Sequence, residues 1–211
     1  MKKLIIFLCL AFMLFDLTAC SSGSGLLQKP AVEAEGKKLY LPCTFGELLD
    51  FGFVFAGFSA IDLTEEDTPD NTTFKTAIGP IGANVSWDDG SLFYVEIKPL
   101  TNVETASRDC IVIRISDKEV YGEKDHDTPS GVLICGVSSH ETIESVDEKF
   151  RSYSDSKGAS DIRKELVAQD DSMLGINGYK VRAVNVSFSK RAYSDDSYVI
   201  RRSLEIEGLS K

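Results

Sequence analysis

The chain has 211 residues, a formal net charge of -10, 43% hydrophobic residues, 16 glycines, 5 cysteines and 2 histidines. That apolar share excludes a disordered chain, and the lack of a three-residue glycine period or a persistent heptad excludes collagen-like and coiled-coil structure. The acidic balance argues against nucleic acid as a partner, because phosphate binding needs a basic face.

Lys2 and Lys3 precede an unbroken run of 12 apolar residues, Leu4 to Phe15. A membrane-spanning helix needs roughly 20 such residues, so the run is too short to cross and fits the apolar region of a secretory signal peptide instead. Leu17-Thr18-Ala19-Cys20 follows, then Ser21-Ser22-Gly23. This resembles the lipobox of bacterial lipoproteins. The resemblance implies that the Cys20 thiol receives a diacylglycerol, that residues 1–19 are cleaved away, and that Cys20 becomes the N-terminus. The expected location is extracytoplasmic, lipid-anchored to the bacterial cell membrane at the surface or in the envelope. Each buried methylene contributes roughly 0.8 kcal/mol, so two or three chains on one cysteine hold firmly where a single chain holds marginally. Loss of Lys2, Lys3 and Asp16 takes the net charge from -10 to -11. An anionic bilayer repels such a domain within a Debye length of about 8 Å, which should keep it off the lipid surface.

Residues 20–38 are rich in Ser, Gly, Ala and charge without a clear period, and are expected to form a lipidated flexible tether. The folded domain is then expected over 39–208, with sub-halves 39–125 and 131–208. Its predicted class is α+β: mainly antiparallel sheet with two or three short helices. Thr44 and Glu47 have the spacing of a capping box, so a short helix is predicted from about 45 to 50. Phe51, Phe53 and Phe55 then alternate with other residues, as in a strand packed on one face. With Phe58 they form either core or an aromatic interaction patch.

Asp62 to Asn71 reads as an acidic loop carrying Asp62, Glu65, Glu66, Asp67 and Asp70. Strands are predicted over 74–87 and 92–100, joined by Asp88-Asp89-Gly90, a strong hairpin signal. Another is predicted at 110–115 and another at 132–135. Ser138 and Glu141 again have capping-box spacing. Ile143, Val146, Phe150 and Tyr153 follow at helical spacing, which predicts a helix near 141–152. Residues 162–167 fit a short further helix, and 179–189 and 198–206 fit two long strands. Both halves thus read as strand, capping box, short helix, several strands, an order that either a distant duplication or a coincidence of common parts would produce.

Two stretches carry further resemblances. Tyr40-Leu-Pro-Cys-Thr-Phe-Gly-Glu-Leu-Leu-Asp-Phe-Gly-Phe is similar to a segment of surface lipoproteins of Gram-positive bacteria. Gly136-Val-Ser-Ser-His-Glu-Thr-Ile-Glu-Ser-Val-Asp-Glu-Lys-Phe resembles the opening helix of small outer-membrane-assembly lipoproteins and of β-lactamase-inhibitor-like domains, with Arg151 where those have glycine. Both resemblances imply α+β interaction modules, and neither supplies a catalytic residue.

Cys9 leaves with the signal and Cys20 is the anchor. Cys43, Cys110 and Cys135 remain, and they allow one disulfide in three pairings or three buried thiols. With no CxxC and no Cys/His cluster, no metal site is expected. His126 lies between acids and His140 at a helix start; both read as solvated or capping residues rather than bases. The acidic loop lacks the glycine and final glutamate of an EF-hand. Asp88-Asp89 and Asp195-Asp196 read as turns, and the sequons at Asn71, Asn84 and Asn185 carry no weight in a bacterial protein. No Walker, dinucleotide or G-x-S-x-G motif occurs, so no cofactor is expected. The expectation is a non-catalytic binding module on a lipid anchor, with a protein or envelope polymer as partner. The alternatives are a carboxylate-based hydrolase, whose paired acids can be far apart in sequence, and a solute-binding lipoprotein.

Overall fold

The computed structural model describes residues 30–59, 63–75, 79–101, 103–118, 130–150, 154–157, 161–167, 174–189 and 201–211. In chain order the first half holds β1 (Ala31–Ala34), β2 (Lys37–Tyr40), helix α1 (Phe45–Phe51), β3 (Val54–Phe58), β4 (Thr73–Phe74), β5 (Ile81–Ser86), β6 (Leu92–Lys98), β7 (Thr105–Ala106) and β8 (Ile111–Asp117). The second holds β9 (Val132–Ile134), helix α2 (Ile143–Lys149), β10 (Ser154–Lys157), β11 (Asp161–Val167), β12 (Leu174–Ile176), β13 (Tyr179–Val181), β14 (Ala183–Ser189) and β15 (Arg201–Glu207). The fold is α+β and dominated by antiparallel sheet.

The main sheet has 8 strands in the order β10-β11-β14-β15-β8-β6-β5-β3, every neighbour antiparallel. Each half supplies four strands, and the halves meet where β8 pairs β15, with Ile115 opposite Leu204. A second sheet, β2-β1-β9, also joins the halves. The β5–β6 hairpin turns at the predicted Asp88-Asp89-Gly90, where Gly90 has φ +84° and the Asp89 carboxylate accepts from the Ser91 amide at 2.8 Å.

Each half also carries a left-handed hairpin turn followed by a threonine-capped helix of 7 residues. Glu35-Gly36 and Cys135-Gly136 take φ values of +51°, +74° and +50°, +72°, the positive pair that a two-residue turn of matching twist requires. Thr44 closes the predicted capping box on α1: its hydroxyl accepts from the Glu47 amide at 3.0 Å, and the Glu47 carboxylate accepts from the Thr44 amide at 2.7 Å. The α1 C-terminus ends at Gly52, φ +132°, where a Cβ would lie 2.9 Å from the Trp87 ring.

Four expectations change. Residues 31–38 are not tether but strand: Ala31, Val32 and Ala34 are buried, because their small side chains fit between β2 and β9. The second helix is capped by Thr142, not Ser138, and is shorter than predicted; Ser138 accepts from the His140 amide instead. Residues 162–167 lie in strand β11 rather than in a helix, paired along their whole length with β14. A segment that short gains little as an isolated helix, so cross-strand pairing decides its state. The strand predicted over 179–189 breaks at Arg182 into β13 and β14.

Both helices and the small sheet pack on one face of the main sheet. Phe45 and Leu48 of α1, Val146 and Phe150 beside α2, and Val132 and Ile134 of β9 share one apolar cluster with Val85, Phe93, Val95, Ile115, Leu204, Val186 and Phe188. Phe150 stacks on Phe188 with ring centroids 5.4 Å apart. Within this layer Arg202 is wholly buried. Its Nε and Nη2 donate to the two oxygens of Asp117 at 2.8 and 2.7 Å, and its Nη1 donates to the carbonyls of Val132 and Val137. This one guanidinium fastens β15, β8 and the β9 hairpin together.

Candidate functional site

The opposite side of the main sheet is polar. Strand alternation puts every second residue there, and the register aligns those residues in rows across the strands. One row runs through Asn185 of β14, Glu205 of β15, Arg114 of β8, Glu96 of β6 and Gly82 of β5, each directly opposite the next. The adjacent row on the same five strands is Ser187, Ser203, Ser116, Tyr94 and Asn84. A shorter third row, Leu92, Ser86 and Val54, brings apolar surface to the β3 edge, where Val54 is 60% exposed.

The rows are tightly set. Ser116, Ser203 and Asn185 are buried among their longer neighbours. Tyr94 lies over Gly82, where a Cβ would sit 2.6 Å from the phenolic oxygen, so glycine there is what lets the ring lie down. Burial raises the Tyr94 pKa, as does the charge of Glu96, with Arg114 opposing, so the phenol stays a neutral hydrogen-bonding group. Asn185 Nδ2 donates to Glu207 at 2.7 Å, and Glu207 also pairs with Arg182 at 3.1 Å. Arg114 Nη1 reaches Glu96 at 3.3 Å.

Not every group on this face is satisfied. Asn185 Oδ1, Asn84 Oδ1 and Arg114 Nε are buried and have no hydrogen-bond partner among the described residues. A buried polar atom left unpaired costs roughly 1–3 kcal/mol, and such atoms are rare enough in native folds to demand an explanation. Three of them lie on one face of one sheet. The chemistry of that face is that of recognition by hydrogen bond and charge: carboxylates, amides, hydroxyls and the cations of Arg114, Arg201 and Lys98 presented on rigid strands.

The residues singled out from sequence lie elsewhere. Phe51, Phe53, Phe55 and Phe58 pack rather than form a displayed patch. Phe53 is 3% exposed and the other three are partly buried against the core. Phe53 meets Trp87 and Phe93 edge-on at 5.0 and 5.4 Å, and Phe58 meets Phe74 at 5.5 Å. Cys43, Cys110 and Cys135 are all free and buried. Burial, then the charge of Glu47, pushes the Cys43 thiol up; burial pushes Cys110 up to about 11 and Cys135 up to about 12. None of the three is a ready nucleophile or metal ligand at neutral pH.

The acidic loop is held by its own side chains. Asp67 accepts from the Thr64 amide at 2.6 Å, Asn71 accepts from the Thr68 amide at 2.7 Å, and Asp70 pairs with Arg108 at 3.3 Å. Among the described residues no group of three or more His, Cys, Asp or Glu could hold a metal ion. His140 is partly buried in the turn before α2. Cys20, His126, Asp62 and Asp195-Asp196 lie outside the described residues. Among the described residues no helix is long and apolar enough to cross a membrane.

Sequence reading missed Tyr94, Glu96, Arg114, Asn185 and Glu205. The available signal was a polar residue at every second position within each strand, which fixes a face only once strand order and register are known. No protein-family model, curated protein or solved structure matches the chain.

Proposed function

We propose that the chain is a lipid-anchored extracytoplasmic binding module, without catalysis of its own, that docks a protein partner on the polar face of its main sheet. One observation carries the reading: among the described residues the apolar core lies on one side of the sheet, while the other side presents two straight polar rows containing buried groups without a partner there. A sheet of 8 strands spaced about 4.8 Å apart offers a platform roughly 34 Å wide. The apolar Val54 and Leu92 at one end and the polar rows beside them match the mixed composition of protein interfaces.

The lipobox at Leu17-Thr18-Ala19-Cys20 supports the anchor. The roughly ten residues from Cys20 to Pro30 span at most about 35 Å, so the domain works close to the membrane. The repeated order of turn, capped helix and four strands is read as a duplication. In that reading the platform arose by joining two half-sheets at β8 and β15, and the recognition rows cross the join.

Palmitate labelling in a bacterial host tests the anchor: Cys20→Ala should abolish incorporation. A photo-crosslinking residue placed at Ser187 on the polar face, and as control at Glu144 on the exposed side of α2, tests the surface. An adduct from Ser187 that Arg114→Ala removes, with none from Glu144, is the expected result. Equal adducts from both positions, or none from Ser187, would sink it. A hydrolase is the second reading, favoured by one observation. Glu96 and Glu205 flank Arg114 on alternate strands, about 10 Å apart along the row, near the separation of paired carboxylates in inverting glycosidases. Turnover of an envelope polysaccharide by the purified domain, lost in Glu96→Gln, would establish that reading.

A further inference from the structure

The unpartnered groups indicate what kind of partner the face fits. Asn185 is 4% exposed, and because its Nδ2 donates to Glu207, the atom left over is unambiguously the acceptor Oδ1. Glu205 stands directly opposite Asn185 on one side and Arg114 on the other, and is itself half-buried. The central stretch of the row therefore holds a carboxylate and a free amide oxygen side by side, in a chain whose net charge is -10. The charged donor of this stretch, Arg114, spends its Nη1 on Glu96 at 3.3 Å, so among the described residues no hydrogen bond brings a cationic donor to Glu205 or to Asn185 Oδ1. A guanidinium or ammonium satisfies both acceptors at once, and charge-assisted bonds of this kind are roughly twice as strong as neutral ones.

We propose that the partner inserts a lysine or arginine side chain into the row between Glu205 and Asn185. The inference rests on the docking role assigned above to the polar face, and names the chemistry that face selects. Glu205 is long and flexible on a rigid strand. Glu205 meets the incoming cation, and Asn185 Oδ1, its register neighbour, takes a second donor from the same group. Arg114, whose Nε is unpartnered, lies beside this point and accommodates an acceptor of the partner next to its cation, so that the cation does not sit against Arg114 uncompensated. A neutral polyhydroxylated ligand would leave the Glu205 charge unpaired, which is why a basic protein segment is favoured over a glycan.

The test uses the full chain in detergent micelles with the Asn185 side-chain amide as an NMR reporter. Two capped tripeptides are titrated, Gly-Arg-Gly and its neutral citrulline counterpart, with chitotriose as a third probe. The expected result is a saturable shift at Asn185 with the arginine peptide bound roughly fivefold tighter than the citrulline peptide, the margin of one half-exposed charge pair. Glu205→Gln should erase that margin, while Glu144→Gln on α2 leaves it intact. Equal binding of the two peptides, no shift at Asn185, or a shift with chitotriose alone would each overturn the proposal. If Ser187 nonetheless yields its face-specific adduct, the docking surface stands and only its partner chemistry falls. Absence of that adduct refutes the docking role itself.

Discussion

Removing the carboxylate of Asp117 should destabilise the fold more than any other single polar change in the core. Arg202 has no exposure, and Asp117 accepts three of its hydrogen bonds: from the backbone amide at 2.7 Å, from Nε at 2.8 Å and from Nη2 at 2.7 Å. Asp117→Ala strands a guanidinium that keeps only the Val132 and Val137 carbonyls as partners. Breaking one side of a buried pair costs about 3–5 kcal/mol, because the remaining charge stays desolvated. In a chain of this size that corresponds to a fall of roughly 6–20 °C in melting temperature. Replacing both partners, Asp117→Leu with Arg202→Met, removes the stranded charge and should recover most of the loss. Chemical denaturation of the two single variants and the double variant, taken as a cycle, measures the coupling. If Asp117→Ala costs under about 1 kcal/mol, or the double variant is worse than both singles, Arg202 does not fasten the two sheets as argued.

Three further outcomes follow from local geometry. Gly52→Ala combines a φ of +132° with a Cβ 2.9 Å from Trp87, and should cost about 2–3 kcal/mol and shift Trp87 fluorescence; Gly36→Ala, at φ +74° with open space around it, should cost only about 1 kcal/mol. Thr44→Ala removes one arm of the α1 capping box and should cost about 1 kcal/mol in denaturant titration. The buried thiols set an alkaline limit. Their folded pKa values are raised, so the unfolded chain loses protons first, and stability should fall as pH rises from about 9 towards about 11 for Cys110. Replacing Cys110 with alanine should flatten part of that fall, and a thiol reagent at pH 8 should label the native protein far more slowly than the unfolded one.

The parts of the fold that short-range chemistry governs were readable along the chain. The Thr44–Glu47 capping box and the Asp88-Asp89-Gly90 hairpin depend on residues within four positions of one another, and both occur where predicted. The antiparallel character of the sheet followed from runs of strands with the helices segregated from them. Elsewhere local signals misled. Ser138-x-x-Glu141 has the right spacing for a cap, yet capping at Thr142 is what turns Val146 and Phe150 into the core. The Ala, Glu and Lys of residues 31–38 looked like linker composition, and only the two flanking strands make that stretch a strand. The aromatic run at 51–58 reads first as core with a surface patch as the alternative, and it packs against Trp87, Phe93 and Phe74.

The polar rows belong to another category. Glu96, Arg114, Asn185 and Glu205 each look like an ordinary solvent-facing strand residue. Nothing local says that they share one line, because strand order and register are fixed by pairings between distant segments and by the packing of both helices on the far side. By itself the sequence determined the class of fold, the capping box of the first helix and the Asp88-Asp89-Gly90 turn, since the last two are settled by neighbouring backbone and side-chain groups. The tertiary structure alone decided which polar residues stand side by side and which buried groups remain without partners. A β-strand leaves its hydrogen bonds and its two faces to be allocated by other strands, and that allocation is what creates the site.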